Sequence, residues 1–236
     1  MAWTNHFLES LAEPAARLLR PHLAKTVLMR NEVLDEVGQP IRFVYFPVDS
    51  ILSVVTVMRS GAQVESRTIG REGAYGLLQA LGSPLSFERM FVQFGGDAWR
   101  MPLAAMREAA AARTDLTRAI VQHAQANIIQ ASQNVACNSL HPAEQRLCRW
   151  LLLSQDRLAS NVLSLTQEHL SIMLGVQRTT VTAIASQLQE RGAISYVRGK
   201  ITILDREQVM GCSCECYEAV ERGAAALLGE PEPRRR

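Results

Sequence analysis

The stretch SIMLGVQRTTVTAIASQLQERGAI, residues 171–194, is helical in character almost from end to end, yet Gly175 sits early in it. A glycine inside a helix costs about 1 kcal/mol relative to alanine. It is therefore either a tolerated defect in one long helix or the sharp turn between two. Hydrophobic spacing does not decide: Leu170, Met173 and Leu174 and then Val181, Ile184 and Leu188 suit two helices with out-of-phase apolar faces, but one continuous helix would also put them on roughly one stripe. The flanks do decide. Thr166 is suited to cap a helix, and Gln167-Glu168 place a carboxylate in its first turn. Gly192 suits the position after a helix end, and AISYV and KITIL around Arg198-Gly199 read as a hairpin. Upstream, AEQRLCRWLLLSQDR (143–157) is an amphipathic helix with Leu147, Trp150, Leu151 and Leu153 on its apolar side. Helices followed by a hairpin make a winged helix-turn-helix, in which Gly175 supplies the permissive backbone of the turn.

The rest of the 236-residue chain has room for a second core. It is 47% hydrophobic and 20% charged, a globular composition, and its net charge of +2 is too small to identify an anionic partner. No apolar run reaches the ~20 residues that span a bilayer. The opening MAWTNHFLES has no basic segment or signal core, so a soluble, cytoplasmic protein with no membrane partner is expected. The first ~25 residues read as amphipathic helix. From about Thr26 to Met101, IRFVYFP, SILSVVTVM, AQVESRTI and FERMFVQF are strand-like and separated by turn signals, as in an all-β roll or barrel. Residues from Pro102 to about Leu140 then read as helix, with no Gly or Pro between Leu103 and His141. Leu116, Ile120, Asn127, Ala131 and Asn134 share a stripe on it, with His123 and Ala124 filling the gap. That stripe either packs on the chain's own barrel or forms a dimer seam, for which small residues and an occasional Asn are suited.

The segment LTQEHLSIMLGVQRTTVTAIASQLQERGAISYVRGKITILD resembles the DNA-binding domain of the CRP/FNR family of bacterial transcription regulators. IRFVYFPVDSILSVVTV and SGAQVESRTIGREGAYG resemble that family's cyclic-nucleotide-binding-type β-roll, and the long helix falls where the family has its dimerisation helix. The likeness covers roughly residues 26–205. It implies an α+β fold with an N-terminal, jelly-roll-like β-roll (residues 1–114), a long dimerisation helix (115–141) and a C-terminal winged helix-turn-helix (142–210); residues 211–236 form an extension whose end, GEPEPRRR, reads by its composition as a disordered basic tail.

The same resemblance implies a homodimer on double-stranded DNA with a roughly palindromic operator, and RNA polymerase as a further partner if the protein activates. On a recognition helix packed through Val181, Ile184 and Leu188, the residues Gln177, Arg178, Thr179 and Thr182 face outward with Ala183. Arg178 is the candidate base reader, through guanine O6 and N7. Thr179 stands where the catabolite-activator branch has a glutamate, and Ala183 where it has a second arginine, so a different target is expected. Thr166, Gln167 and Thr180 are placed for phosphate, as are Arg198 and Lys200 at the wing.

In the family, a glycine turn, a glutamate and an arginine with a hydroxyl hold a cyclic nucleotide. The matching stretch is GREGAYGLLQALGSPLSFERM (70–90), with Gly73 and Gly76 in the turn and Arg89 as the arginine. Leu77 stands where the glutamate is expected and Met90 where the hydroxyl is, so the effector is expected not to be cyclic AMP. Five scattered histidines and no nucleophile motif argue against an enzyme, and no catalytic residue, metal or cofactor is expected. Cys212, Cys214 and Cys216 are expected to pack against the winged helix, with a cysteine-based redox or metal-responsive regulator as the alternative. A winged helix that contacts protein in place of DNA is the other.

Overall fold

The computed structural model describes residues 4–228. The N-terminal helical pattern divides in two, α1 (His6–Ser10) and α2 (Glu13–Leu19), and the first strand already starts at Ala24. Pro14 sits in the first turn of α2, where its missing N–H costs no hydrogen bond. The strands are β1 (Ala24–Leu28), β2 (Val33–Asp35), β3 (Phe43–Pro47), β4 (Ile51–Val57), β5 (Gln63–Ile69), β6 (Arg89–Phe94) and β7 (Gly96–Pro102). They form two antiparallel sheets, ordered β1-β7-β3 and β2-β6-β4-β5. Between β5 and β6 lies one short helix, α3 (Leu77–Leu81). Side chains such as Val44, Phe46, Leu52, Val54, Met90, Val92 and Met101 fill the space between the sheets.

The region after β7 is not one helix. α4 (Leu103–Ala112) and α5 (Thr114–Leu140) break at Arg113, which is extended (φ −139°, ψ 108°). Asp115 stabilises the break by accepting from the Arg113 guanidinium and the Leu116 N–H. α6 (Ala143–Leu158), β8 (Val162–Ser164), α7 (Gln167–Leu174), α8 (Arg178–Glu190), β9 (Ile194–Val197) and β10 (Lys200–Ile203) make the winged helix, with sheet order β8-β10-β9. β8 has no counterpart in the sequence reading. The chain continues into α9 (Arg206–Gly211) and α10 (Cys216–Leu228), so much of the C-terminal extension is helical. The expected disordered tail GEPEPRRR lies outside the described residues.

The winged helix shares a core with the β-roll. Ile51 and Phe94 belong to the same buried cluster as Leu151, Leu170 and Val181, and Phe94 stacks on Trp150 with ring centroids 6.1 Å apart. Inside this junction the Glu65 carboxylate accepts from Ser53 Oγ (2.6 Å), Gln93 Nε2 (3.0 Å) and Trp150 Nε1 (3.2 Å).

Candidate nucleic-acid interface

Gly175 ends α7 in the left-handed conformation (φ +62°), and the Val176 N–H reaches back to Ser171 O. A Cβ there would meet only Val64, at 3.5 Å, so backbone conformation and not crowding selects the glycine. α8 then starts at Arg178 and buries Val181, Ile184, Ala185 and Leu188. It closes at Gly192 (φ +75°) through a paired motif in which Gly192 N–H donates to Gln189 O and Ala193 N–H to Leu188 O. At the wing tip Arg198 (φ +50°) and Gly199 (φ +74°) are both left-handed, which matches the twist of the flanking strands.

These turns assemble one open groove, lined by Thr166, Gln167, Arg178, Tyr196, Arg198 and Gly199. Two guanidiniums thus face a concavity together with the N-terminal end of α7. Gln177, Thr179, Thr180, Thr182 and Lys200 are exposed beside it. Tyr196 was missed by the sequence reading; it sits on the hairpin with its hydroxyl donating to Leu165 O. Two of the expected phosphate or base contacts have other partners here. The Thr166 hydroxyl caps α7, accepting from His169 N–H, and lies 2.6 Å from His169 Nδ1. The Thr182 hydroxyl donates back to Arg178 O.

The expected effector residues are only partly brought together. A cavity of about 220 Å³ lies between the β5–α3 loop and α5, lined by Arg67, Tyr75, Gly76, Leu77, Glu88 and His123 among others. Arg89 is not in it. Adjacent strand residues point to opposite faces; Arg89 pairs with Glu36 at 2.7 Å, and Met90 is packed in the β-roll core. The arginine of the cavity is Arg67, which pairs with Glu88 through two 2.8 Å hydrogen bonds. Gly73 lies behind the cavity, where a Cβ would stand 2.4 Å from the His123 ring. His123 Nε2 is 2.9 Å from Ala74 O, and burial holds its pKa below the ordinary value. The same loop reaches α6: Glu72 pairs with Arg157 (2.8 Å), and Arg71 donates to Asp156 O.

Of the two readings of the α5 stripe, packing on the chain's own β-roll accounts for most of its residues. Leu116 and Ile120 belong to the β-roll core and His123 to the loop contact, while Asn134 donates to Ser66 O. Of that stripe, Asn127 and Ala131 are half-buried on the cavity wall. The apolar face that α5 turns outward is Val121 (44% exposed), Ile128 (63%) and Val135 (68%). Of the C-terminal cysteines, Cys212 packs on the winged-helix core as expected, and the other two do not. Cys214 and Cys216 lie against Cys137 and His141 at the end of α5, so further ligand-bearing side chains stand beside them.

Residues 145–210 match the family model of the Crp-like helix-turn-helix domain. A search of curated proteins finds no match. Among solved structures the chain is similar to FixK2 from Bradyrhizobium japonicum, with 16% identity over 81% of this chain and 98% of that one and a TM-score of 0.69. It is also similar to a CRP/FNR-family transcriptional regulator from Thermus thermophilus (19% identity, 80% and 98%, TM-score 0.65). A third is CLP, a c-di-GMP responsive global regulator from Xanthomonas campestris (12% identity, 81% and 99%, TM-score 0.66). At such identities these likenesses are of fold. Among the described residues no helix is long and apolar enough to cross a membrane. The chain thus carries a Crp-like helix-turn-helix DNA-binding domain on the fold of the CRP/FNR transcription regulators.

Proposed function

We propose that the protein is a transcription regulator that binds a roughly palindromic operator as a homodimer. The observation that carries this is the groove in which Arg178, Arg198 and the start of α7 converge. Arg178 at the first turn of an exposed helix suits a base edge, and Arg198 with Lys200 at the wing suits the flanking phosphates. A homodimer is supported by the outward face of α5, where exposed Val121, Ile128 and Val135 recur every seven residues with half-buried Ala124 and Ala131 between them, the period of a heptad seam. The occupant of that face is a second copy of the same helix. RNA polymerase is a further partner where the operator position allows contact.

The effector, on this reading, is not cyclic AMP. Arg67 is the cation available to a cyclic phosphate in the cavity, and Glu88 already neutralises it. Leu77 offers no acceptor to a ribose hydroxyl.

The test is fluorescence anisotropy on the operator recovered by a genome-wide binding map, with a random duplex as control. Arg178→Ala should cost about 1–3 kcal/mol on the operator and much less on random DNA. Lys200→Ala should weaken both alike and flatten the salt dependence. Equal losses on both duplexes for Arg178→Ala would make it a phosphate contact, and absence of salt-dependent DNA binding by the wild type would favour a protein-contacting winged helix.

A further inference from the structure

The end of α5 and the turn before α10 bring four ligand-bearing side chains to one point. Cys137, His141, Cys214 and Cys216 each offer one ligand atom, and all four atoms lie within 4.8 Å of one another. Cys137 Sγ is 3.5 Å from Cys214 Sγ, and Cys216 Sγ is 3.5 Å from His141 Nδ1. We propose that these residues bind a single zinc ion that staples α10 to α5.

The spacing fits one tetrahedral ion. Zinc–sulfur bonds of about 2.3 Å and zinc–nitrogen bonds of about 2.0 Å put neighbouring ligand atoms roughly 3.5–3.8 Å apart. An iron–sulfur cluster carries inorganic sulfides inside its ring of cysteines and needs those cysteines farther apart. Four protein ligands leave no open position, which makes the site structural and not catalytic. Three thiolates and an imidazole suit zinc among the common divalent ions.

The surroundings point to the same ligand. Three thiolates and a divalent cation leave one negative charge. Arg149 is 6% exposed, has no ion-pair partner among the described residues, and its Nε makes no hydrogen bond. Its charge acts on both Cys137 and Cys214. A buried, unpaired guanidinium is costly unless something anionic lies beside it, and a metal–thiolate centre of net charge −1 supplies that. His141 turns Nδ1 to the cysteines and Nε2 to Glu215 Oε1 at 3.3 Å, the carboxylate–histidine arrangement that orients metal-bound imidazoles. Gln133 Nε2 donates to Cys216 Sγ at 2.9 Å, as outer donors do to coordinated thiolates.

The topology explains what such an ion would do. Cys137 and His141 are one helical turn apart, and the His141 N–H closes that turn on Cys137 O. Cys214 and Cys216 come 77 and 79 positions after Cys137. α10 then runs back along α5, where Gly223 packs so closely on Ile129 that a Cβ would stand 2.9 Å from it. The ion fastens the end of α5 to the start of α10, and the Gly223–Ile129 contact continues the seam.

The test is metal analysis of the full chain purified under reducing conditions, followed by apo-protein titration with zinc(II) and cobalt(II). One zinc per chain is expected. Cobalt(II) should give the intense visible bands and thiolate charge transfer of a tetrahedral sulfur-rich site in the wild type, which needs no variant. Cys216→Ser and His141→Ala should each weaken zinc binding roughly tenfold or more, while Cys148→Ser, outside the cluster, should leave it unchanged. Wild-type protein with no stoichiometric metal, iron with labile sulfide, or a Cys137–Cys214 disulfide under these conditions would overturn the proposal. So would a cobalt spectrum lacking thiolate charge transfer.

Discussion

Glu65→Gln tests how the winged helix is joined to the β-roll. Glu65 is buried in the junction, and burial pushes its carboxyl up from 4.5 to about 7 despite three donors. Below pH 4.5 the group is protonated in both the folded and the unfolded chain. As pH rises from there to 7, the unfolded chain loses the proton and the folded chain keeps it, so stability falls; above 7 the loss is complete. At roughly 1.4 kcal/mol per pH unit, the interval from 4.5 to about 7 corresponds to about 3 kcal/mol. Glutamine keeps the size and one acceptor but cannot ionise. Burial also pushes Asp35 and Glu221 up to about 7, but both are present in the two proteins and cancel. Urea unfolding followed by tryptophan fluorescence at pH 4.5, 6 and 8 should therefore show the wild type losing about 3 kcal/mol more than Glu65→Gln across that range. Parallel pH profiles for the two proteins would refute the reasoning.

Ile128→Glu should give a folded monomer by light scattering, whereas Ile120→Glu should lower thermal stability by more than ~4 kcal/mol, because Ile120 is fully buried in the β-roll core. Gly175→Ala should cost roughly 1–2 kcal/mol in chemical unfolding, from left-handed strain alone. Calorimetry should find no micromolar binding of cyclic AMP to the wild type, and Glu88→Gln, which frees Arg67, should raise the affinity for an anionic nucleotide.

What the sequence showed clearly was local. The turn at Gly175, the end at Gly192 and the hairpin at Arg198-Gly199 are dictated by a few neighbouring residues, and each adopts the left-handed backbone expected of it. Sheet partners and helix faces depend on distant chain. Arg67 and Arg89 lie on different strands, and only the pleat and the pairing of β4 with both β5 and β6 place one on the cavity and the other on Glu36. On α5 two stripes of similar character exist, and the one with bulkier inner residues packs on the β-roll. The four-residue step from Cys137 to His141 was a readable metal spacing, but its complement lies far along the chain and beyond the winged helix.

The close approach of Gly73 to His123 bears on how this molecule can diverge. Any side chain at position 73 would strike the imidazole, and a smaller residue at 123 would leave the Ala74 carbonyl without its present partner. The two positions are coupled, because a side chain at 73 needs room that a smaller residue at 123 would provide. A change in this loop between β5 and α3 is thus tied to a change in α5, two segments 50 positions apart in the chain. The double variant Gly73→Ala/His123→Ala should therefore be better tolerated than Gly73→Ala by itself.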